Sequence, residues 1–432
     1  NALDLGIYTQ DFESFRNGNF WYSSIQQSSY LGDHFEPFIL ALLPFYLLIT
    51  HPKTLLVLQT VFLALPAIPI FFITRMVFKY QALKNRQEDT RYKIQDISQV
   101  NLWALGVALF YLLNPLVHNI NLFEFHLLPF SLIFLFAAAY FYIKSNYLLQ
   151  TTHYKLFFLF IISCFLAILA REDIPLIVFM FGVLALIDKC RWYWVISPMI
   201  LAGWWFALST GIISAFNTDG GYKFLTYYSH VLGGSIFEII SKIIFSLIGQ
   251  PGNWLIAALF LMIFLFLPVF SPRYLLLALP PMLQFFISFS GADDTVLFSH
   301  YPTLFLPALF LSGIFGARWL MNNFDGDYYK NKFFGFIFKD RGLLIIILIL
   351  IIIGSMIILS PLGNFIPGIS VDEKRKIVAE ETRVQRALVG AIPAQFNAAL
   401  SAPYLSAHWS SQNDSSLYWI SKGFKQFSSY SY

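Results

Sequence analysis

Charge is what this chain lacks most. Only 12% of its 432 residues are charged, about half the share usual in water-soluble domains, and the run LLIIILILIIIGSMIILS at 343–360 carries none. An ordinary soluble domain is thereby excluded. Cysteine is nearly absent too, with Cys164 inside an apolar run and Cys190 at a loop edge. Two such residues exclude both a disulfide framework and a zinc site, and Cys164 reads as small apolar packing. The long runs do not alternate polar and apolar residues, which excludes a transmembrane barrel. An all-α polytopic membrane protein is what remains, because hydrocarbon admits only helices or closed barrels. No signal peptide is visible.

The chain is rich in apolar and aromatic side chains, at 57% and 19%, suited to lipid-facing packing and interfacial belts. A spanning helix needs about 20 apolar residues. About ten spans are expected, at 54–78, 100–118, 127–143, 156–170, 174–187, 194–213, 254–270, 274–290, 302–321 and 343–360. Because the chain opens on Asn1 and a polar segment, one further helix is expected upstream. Basic residues gather in alternate loops, among them Lys79, Lys84, Arg86, Lys144, Lys189, Arg191, Arg273 and Arg341. The opposite loops hold only Arg16, Arg171, Lys223 and Lys242, so the first set is assigned to the cytoplasm. The net charge of +4 reflects this sorting and gives no reason to expect nucleic acid. Three regions follow: a first external loop (1–53), a transmembrane domain (54–360) and a small extracytoplasmic C-terminal segment (361–432). Within that segment 371–393 reads as a charged soluble helix.

Three stretches depart from simple spanning. Residues 37–50 would invert the charge alternation if they crossed, so they are expected to lie at the outer face as a juxtamembrane helix. Residues 235–249 (SIFEIISKIIFSLIG) set Glu238, Ser241 and Lys242 among isoleucines and phenylalanines, the pattern of a helix in the interfacial plane. The arms 156–170 and 174–187 reach only about 22 Å each at 1.5 Å per residue, against a core of about 30 Å. Their connection, Ala170-Arg171-Glu172-Asp173, is expected below the outer surface, where charges are tolerated only if they pair or line a wet cavity.

On the outer side the topology gathers Asp4, Asp33, His34, Glu36, His126, Arg171, Glu172, Asp173, Lys223, Arg16 and His300 from distant segments. Carboxylates and imidazoles bind divalent metals and act as general bases. No pair has a diagnostic metal spacing. Each also has an ordinary reading: Asp4 and Asp33 as caps or turn residues, the histidines as interfacial polar groups, and Arg171, Glu172 and Asp173 as partners of one another.

The ordered segments LDLGIYTQ, LGDHFEPFILALLPFYLL, TLLVLQTVFLALPAIPIFFITR, FEFHLLPF, ILAREDIPL and SHYPTLFLPALF resemble the bacterial membrane proteins grouped as domain of unknown function 2079, over roughly residues 3–320. That family in turn resembles the polytopic glycosyltransferases of the C fold, such as oligosaccharyltransferases and the lipid A aminoarabinose transferases. The resemblance implies an inner-membrane transferase that moves a sugar from a polyprenyl-phosphate-linked donor to an extracytoplasmic acceptor. It places Asp4 where the catalytic acid of the first external loop falls, with Asp33 as rival. Phe35-Glu36-Pro37 is similar to the Phe-Glu-Lys-Pro-Pro stretch of the aminoarabinose transferases, whose Glu is a metal ligand and whose Lys helps hold the lipid phosphate. A divalent metal is therefore implied at Glu36, with His34, His126 and His300 as further ligands. The lysine is missing here; Arg171 is the best substitute, with Lys223 and Arg16 behind it and Glu172 and Asp173 to orient Arg171 or bind acceptor.

Two other classes fit the composition. A lipid or sugar transporter or flippase would also bury charges, but would open its cavity to both sides in turn. A structural or accessory subunit of a membrane assembly would keep a blocked cavity and broad contacts to partner subunits.

Overall fold

A computed structural model describes residues 3–324, except 17, 19, 24–27, 85–92, 146–153, 219 and 294. The expected span at 343–360, the helix at 371–393 and the segment 361–432 lie outside the described residues. Within them the chain is all-α, apart from one hairpin of two-residue strands, β1 (Tyr22–Ser23) and β2 (Ser28–Ser29), paired antiparallel. The helices run α1 (Leu3–Arg16), α2 (Ile39–Leu48), α3 (Pro52–Ala64), α4 (Ala67–Lys84), α5 (Lys93–Leu112), α6 (Pro115–Phe123), α7 (Ser131–Ile143) and α8 (Tyr154–Ile168). They continue with α9 (Ile174–Ile187), α10 (Trp192–Phe216), α11 (Ile236–Gly249), α12 (Pro251–Ile263), α13 (Leu279–Ile287), α14 (Thr295–Phe298) and α15 (Leu306–Phe324).

Among the described residues, three stretches are long and apolar enough to cross a membrane by themselves: Pro52–Lys79, Gln99–Phe123 and Trp192–Phe216. A fourth arises if α11 and α12, bent by 54° at their junction, are taken as one. The remaining apolar helices are shorter, Ile39–Leu48, Leu128–Ile143, Tyr154–Ile168, Ile174–Ile187 and Leu306–Met321, and prolines interrupt even two of the long stretches. Pro66 separates α3 from α4, and Pro115 starts α6 behind Asn114, whose side chain accepts from Leu116 N at 3.0 Å. A proline removes one backbone donor and clashes with the preceding turn. The expected helix at 254–270 ends at Ile263, where Leu265 and Phe266 turn left-handed (φ 55° and 56°). The expected helix at 274–290 is divided between a 3-10 stretch, Pro272–Ala278, and α13.

Two cores organise the fold. The larger lies among α4, α5, α7–α10 and α15 and is filled by Tyr111, Phe136, Tyr142, Phe160, Phe181 and Phe310. Between helices in lipid there is little hydrophobic drive, so close fit has to supply the attraction. Gly182 shows this on α9: a Cβ there would sit 2.6 Å from Val195 O of α10. The second core joins α1, α2 and α3 to the 124–130 connection through Phe12, Tyr30, Phe38, Tyr46, Phe125 and Phe130, all essentially buried. Each such ring buried from water contributes roughly 1.5–3 kcal/mol. The N-terminal region is thus a packed platform that holds α1 against α2, α3 and the 124–130 connection.

At 37–50 the chain forms α2, which buries Ile39, Leu42 and Tyr46 and exposes Leu40, Phe45, Leu47 and Leu48. Helix α11 is closed at its start by a reciprocal capping box between Ser235 and Glu238. It leaves Ile236, Phe237, Ile240, Ile244, Phe245 and Ile248 exposed along its length.

Candidate functional site

Helix α1 carries Asp4 in its first turn. The early N–H groups of a helix have no partner within it, and here a remote carboxylate takes them. Glu124 Oε2 accepts from Asp4 N at 2.8 Å and from Leu5 N at 3.2 Å. The loop that delivers Glu124 is itself clamped. Fully buried Gln59 of α3 donates to Glu124 O at 2.9 Å and accepts from His126 N at 2.8 Å. Gln59 therefore fixes both residues that meet Asp4, since His126 Nε2 lies 3.4 Å from Asp4 Oδ2.

From His126 the contacts continue inward. Its ring stacks on that of His300, with centroids 3.7 Å apart and planes 20° apart. His300 Nε2 is 3.0 Å from Arg171 Nη1. A guanidinium only donates, so this nitrogen accepts and the His300 proton is assigned to Nδ1. The carboxylate beside His126 Nε2 assigns the opposite tautomer there. Arg171 also pairs with Asp173 at 2.9 Å and lies over the Tyr301 ring, 5.5 Å from its centroid. Glu172 turns to the other wall, meeting His34 Nδ1 at 2.8 Å and Phe35 N at 3.3 Å. Glu36 Oε2 accepts from Tyr8 OH at 2.8 Å and Tyr30 OH at 2.6 Å. Lys223 forms an ion pair with Asp33.

Burial sets the charge states, modified by these partners. It would discharge His34, but the Glu172 carboxylate outweighs it and lifts the imidazole to about 9. Glu36 is pushed up to about 7 by burial, although His34 and the phenols favour its charge. Glu124 rises to about 7 through burial and the nearby Asp4 charge. His126 is lowered by burial. His300 falls well below the usual imidazole range through burial, His126 and Arg171. Asp11, three residues beyond Tyr8 on α1, is fully buried with both carboxylate oxygens lacking a hydrogen-bond partner among the described residues, and burial raises it well above the usual carboxylate range.

Two cavities meet at this cluster. A polar chamber of about 180 Å³ is lined by Asp4, Tyr8, Tyr30, His34, Arg171 and Phe224, among others. A more open groove of about 430 Å³ is lined by Phe123, Phe298 and Ser299. Asp4, His300 and Tyr301 line both.

Most of the residues singled out in the sequence thus converge: Asp4, Asp33, His34, Glu36, His126, Arg171, Glu172, Asp173, Lys223 and His300. Arg16 does not line either cavity; its side chain is 55% exposed and pairs with Glu13 at 3.4 Å. The four residues expected to hold a divalent metal, Glu36, His34, His126 and His300, do not fit one. Among the described residues no three His, Cys, Asp or Glu side chains converge as a metal requires. Glu36 serves two phenols, His34 serves Glu172, and the other two imidazoles stack. Sequence reasoning missed Tyr8, Tyr30, Tyr301 and Gln59. Tyr8 lies four residues after Asp4, on the same helix face, and Gln59 is a lone amide in an apolar run, a position that deserves a functional reading by default.

No curated protein and no solved structure matches the chain. One family does, described as "Predicted membrane protein (DUF2079)", and the match runs over residues 1–427. Membrane location agrees with the apolar helices described above. The chain belongs to this family of predicted membrane proteins, domain of unknown function 2079.

Proposed function

We propose that the protein is an integral-membrane glycosyltransferase of the C-fold type. It transfers a sugar from a polyprenyl-phosphate-linked donor to an extracytoplasmic hydroxyl acceptor. In this reading the chain sits in the bacterial cytoplasmic membrane with about ten spans, the site and the 361–432 segment facing outward. Helices α2 and α11 flank the site at the interface, which accounts for their exposed apolar faces.

The observation that carries the reading is the wall shared by the two cavities. Asp4 and His300 both line it: Asp4 Oδ2 lies 3.4 Å from His126, and His300 meets Arg171, which lines the polar chamber. The acceptor hydroxyl oxygen attacks the anomeric carbon, and the bond from that carbon to the phosphate oxygen breaks. The electron pair leaves on the phosphate, giving the polyprenyl phosphate, and the hydroxyl proton passes to the Asp4 carboxylate. Negative charge grows on the leaving phosphate, and Arg171 is the cation placed to stabilise it. Asp33, the rival base, is engaged by Lys223, which favours Asp4.

The test is release of polyprenyl phosphate from a radiolabelled polyprenyl-phosphosugar by the full chain in vesicles supplied with wall-sugar acceptors. Release that depends on the protein is expected. A donor left intact across the acceptor panel would overturn the reading.

A further inference from the structure

We infer that the end of the bundle where α8 and α10 begin binds an anionic phospholipid of the bilayer. Its phosphodiester sits among Lys155, Lys189 and Arg191, and its chains run along the exposed faces of α8 and α10. Basic residues assign this end to the cytoplasmic leaflet. It is far from Arg171, since α8 and α9, of 15 and 14 residues, separate the two by roughly 22 Å at 1.5 Å per residue.

Charge gives the first argument. Other cations of the fold have a carboxylate each: Arg171 meets Asp173, Lys223 meets Asp33 and Arg273 meets Asp188. The side chains of Lys155, Lys189 and Arg191 are exposed and have neither ion pair nor hydrogen bond among the described residues. Asp188, next to Lys189 in sequence, is engaged elsewhere: it accepts from Tyr142 OH at 2.5 Å and pairs with Arg273. Ring contacts bring the cations together. Tyr154 stacks on Tyr193, 6.3 Å between centroids, which sets the start of α8, with Lys155, beside the start of α10, with Arg191.

Backbone geometry gives the second. Lys189 turns left-handed at the end of α9, φ 54°, and Cys190 N bonds back to Ala185 O at 2.9 Å. Glycine usually holds that position, because a side chain strains it. A lysine there costs backbone energy and adds an ammonium two residues before Arg191. The order of chemistry along the helices gives the third. Trp192 and Tyr154 are 71% and 69% exposed, as aromatics at the headgroup level are. One turn into each helix Phe158 and Ile196 are exposed, and Ile200 follows a turn later. Cations, then aromatics, then an apolar face match a phospholipid from phosphate to chain. Basic pockets between helix ends take anionic headgroups in this way.

In the experiment the full chain in detergent is titrated with dioleoylphosphatidylglycerol or dioleoylphosphatidylcholine, and bound lipid is counted by native mass spectrometry. Phosphatidylglycerol is expected to bind at least about tenfold more tightly, a preference that half-molar salt reduces. The triple variant Lys155→Gln, Lys189→Gln, Arg191→Gln is expected to lose the preference, whereas Lys53→Gln, at an exposed lysine on α3, keeps it. Lys189→Gly separates binding from folding. It is expected to melt no lower than the wild type, because the left-handed turn suits glycine, yet to bind phosphatidylglycerol about fivefold more weakly. Equal binding of the two lipids by the wild type would overturn the inference, as would an undiminished preference in the triple variant. Full phosphatidylglycerol binding by Lys189→Gly would overturn the part given to Lys189.

Discussion

His126 and His300 lie face to face, 3.7 Å between ring centroids, with Asp4 at the outer edge of the pair and Arg171 at the inner edge. Two imidazolium ions could not share that spacing beside a guanidinium, and burial lowers both rings, His300 the further. Their lowered values mean that the unfolded chain takes up protons below about pH 6.5 that the folded chain refuses. Stability is therefore expected to fall as pH drops below about 6.5. His34 acts in the opposite sense. Raised to about 9 by Glu172 after burial has opposed it, it stabilises fully below about 6.5 and loses that contribution as pH rises through about 9. Thermal unfolding in detergent from pH 5 to 10 checks both limbs. His34→Gln should flatten the alkaline limb alone.

Glu36 offers a separate pH signature. Its value near 7 lies above the unfolded carboxyl range of about 4.3, so the folded state holds a proton that the unfolded state has released. Its contribution is present below about pH 4 and fades as pH rises through 7. Glu36→Gln keeps an oxygen that can accept from Tyr8 and Tyr30 and never ionises. The melting temperature of this variant should depend less on pH between 5 and 8 than that of the wild type.

Gln59 is the buried clamp behind the site. Gln59→Leu leaves Glu124 O and His126 N without partners in a dry environment, a loss of about 1–3 kcal/mol. A lower melting temperature is expected, together with weaker donor binding as Asp4 and His126 lose register. A variant with wild-type stability would show that the clamp is dispensable.

Lys223 and Asp33 join the 220–234 segment to the chamber wall. Glycine pairs flank that segment, Gly220-Gly221 at φ 77° and 75° and Gly233-Gly234 at 96° and 98°, conformations a side chain would resist. Between them Phe224 lies against His34, 5.4 Å between centroids. Lys223→Met removes a half-exposed ion pair worth about 0–1 kcal/mol. Global stability should change little, while amide exchange across 220–234 should rise. Unchanged exchange would mean that the pair does not hold the segment.

Much of the site was legible because it is written in polar residues set in an oily chain. In hydrocarbon-rich sequence every charge has to be accounted for, so Asp4, Asp33, His34, His126, Arg171 and His300 stood out, and they do meet. Their pairing was not legible. Nothing in LGDHFEPF says that His34 turns to Glu172 and that Glu36 turns to Tyr8 and Tyr30, because those partners arrive through tertiary packing. Nor does the sequence show that Glu36, His34, His126 and His300 do not converge on one point, as no three such groups do among the described residues. The all-helical class was readable from run length and the missing alternation. The helix boundaries were less so, since Pro66, Pro115 and Pro268 sit inside runs whose hydropathy alone reads as continuous.

The most direct test of the account compares single-turnover sugar transfer by Asp4→Asn and Asp33→Asn against the wild type in the same vesicles. If Asp4 is the base, Asp4→Asn loses transfer by about 10²–10⁴-fold with donor binding retained, while Asp33→Asn loses far less. Full transfer by Asp4→Asn, or a larger loss in Asp33→Asn, would contradict the assignment.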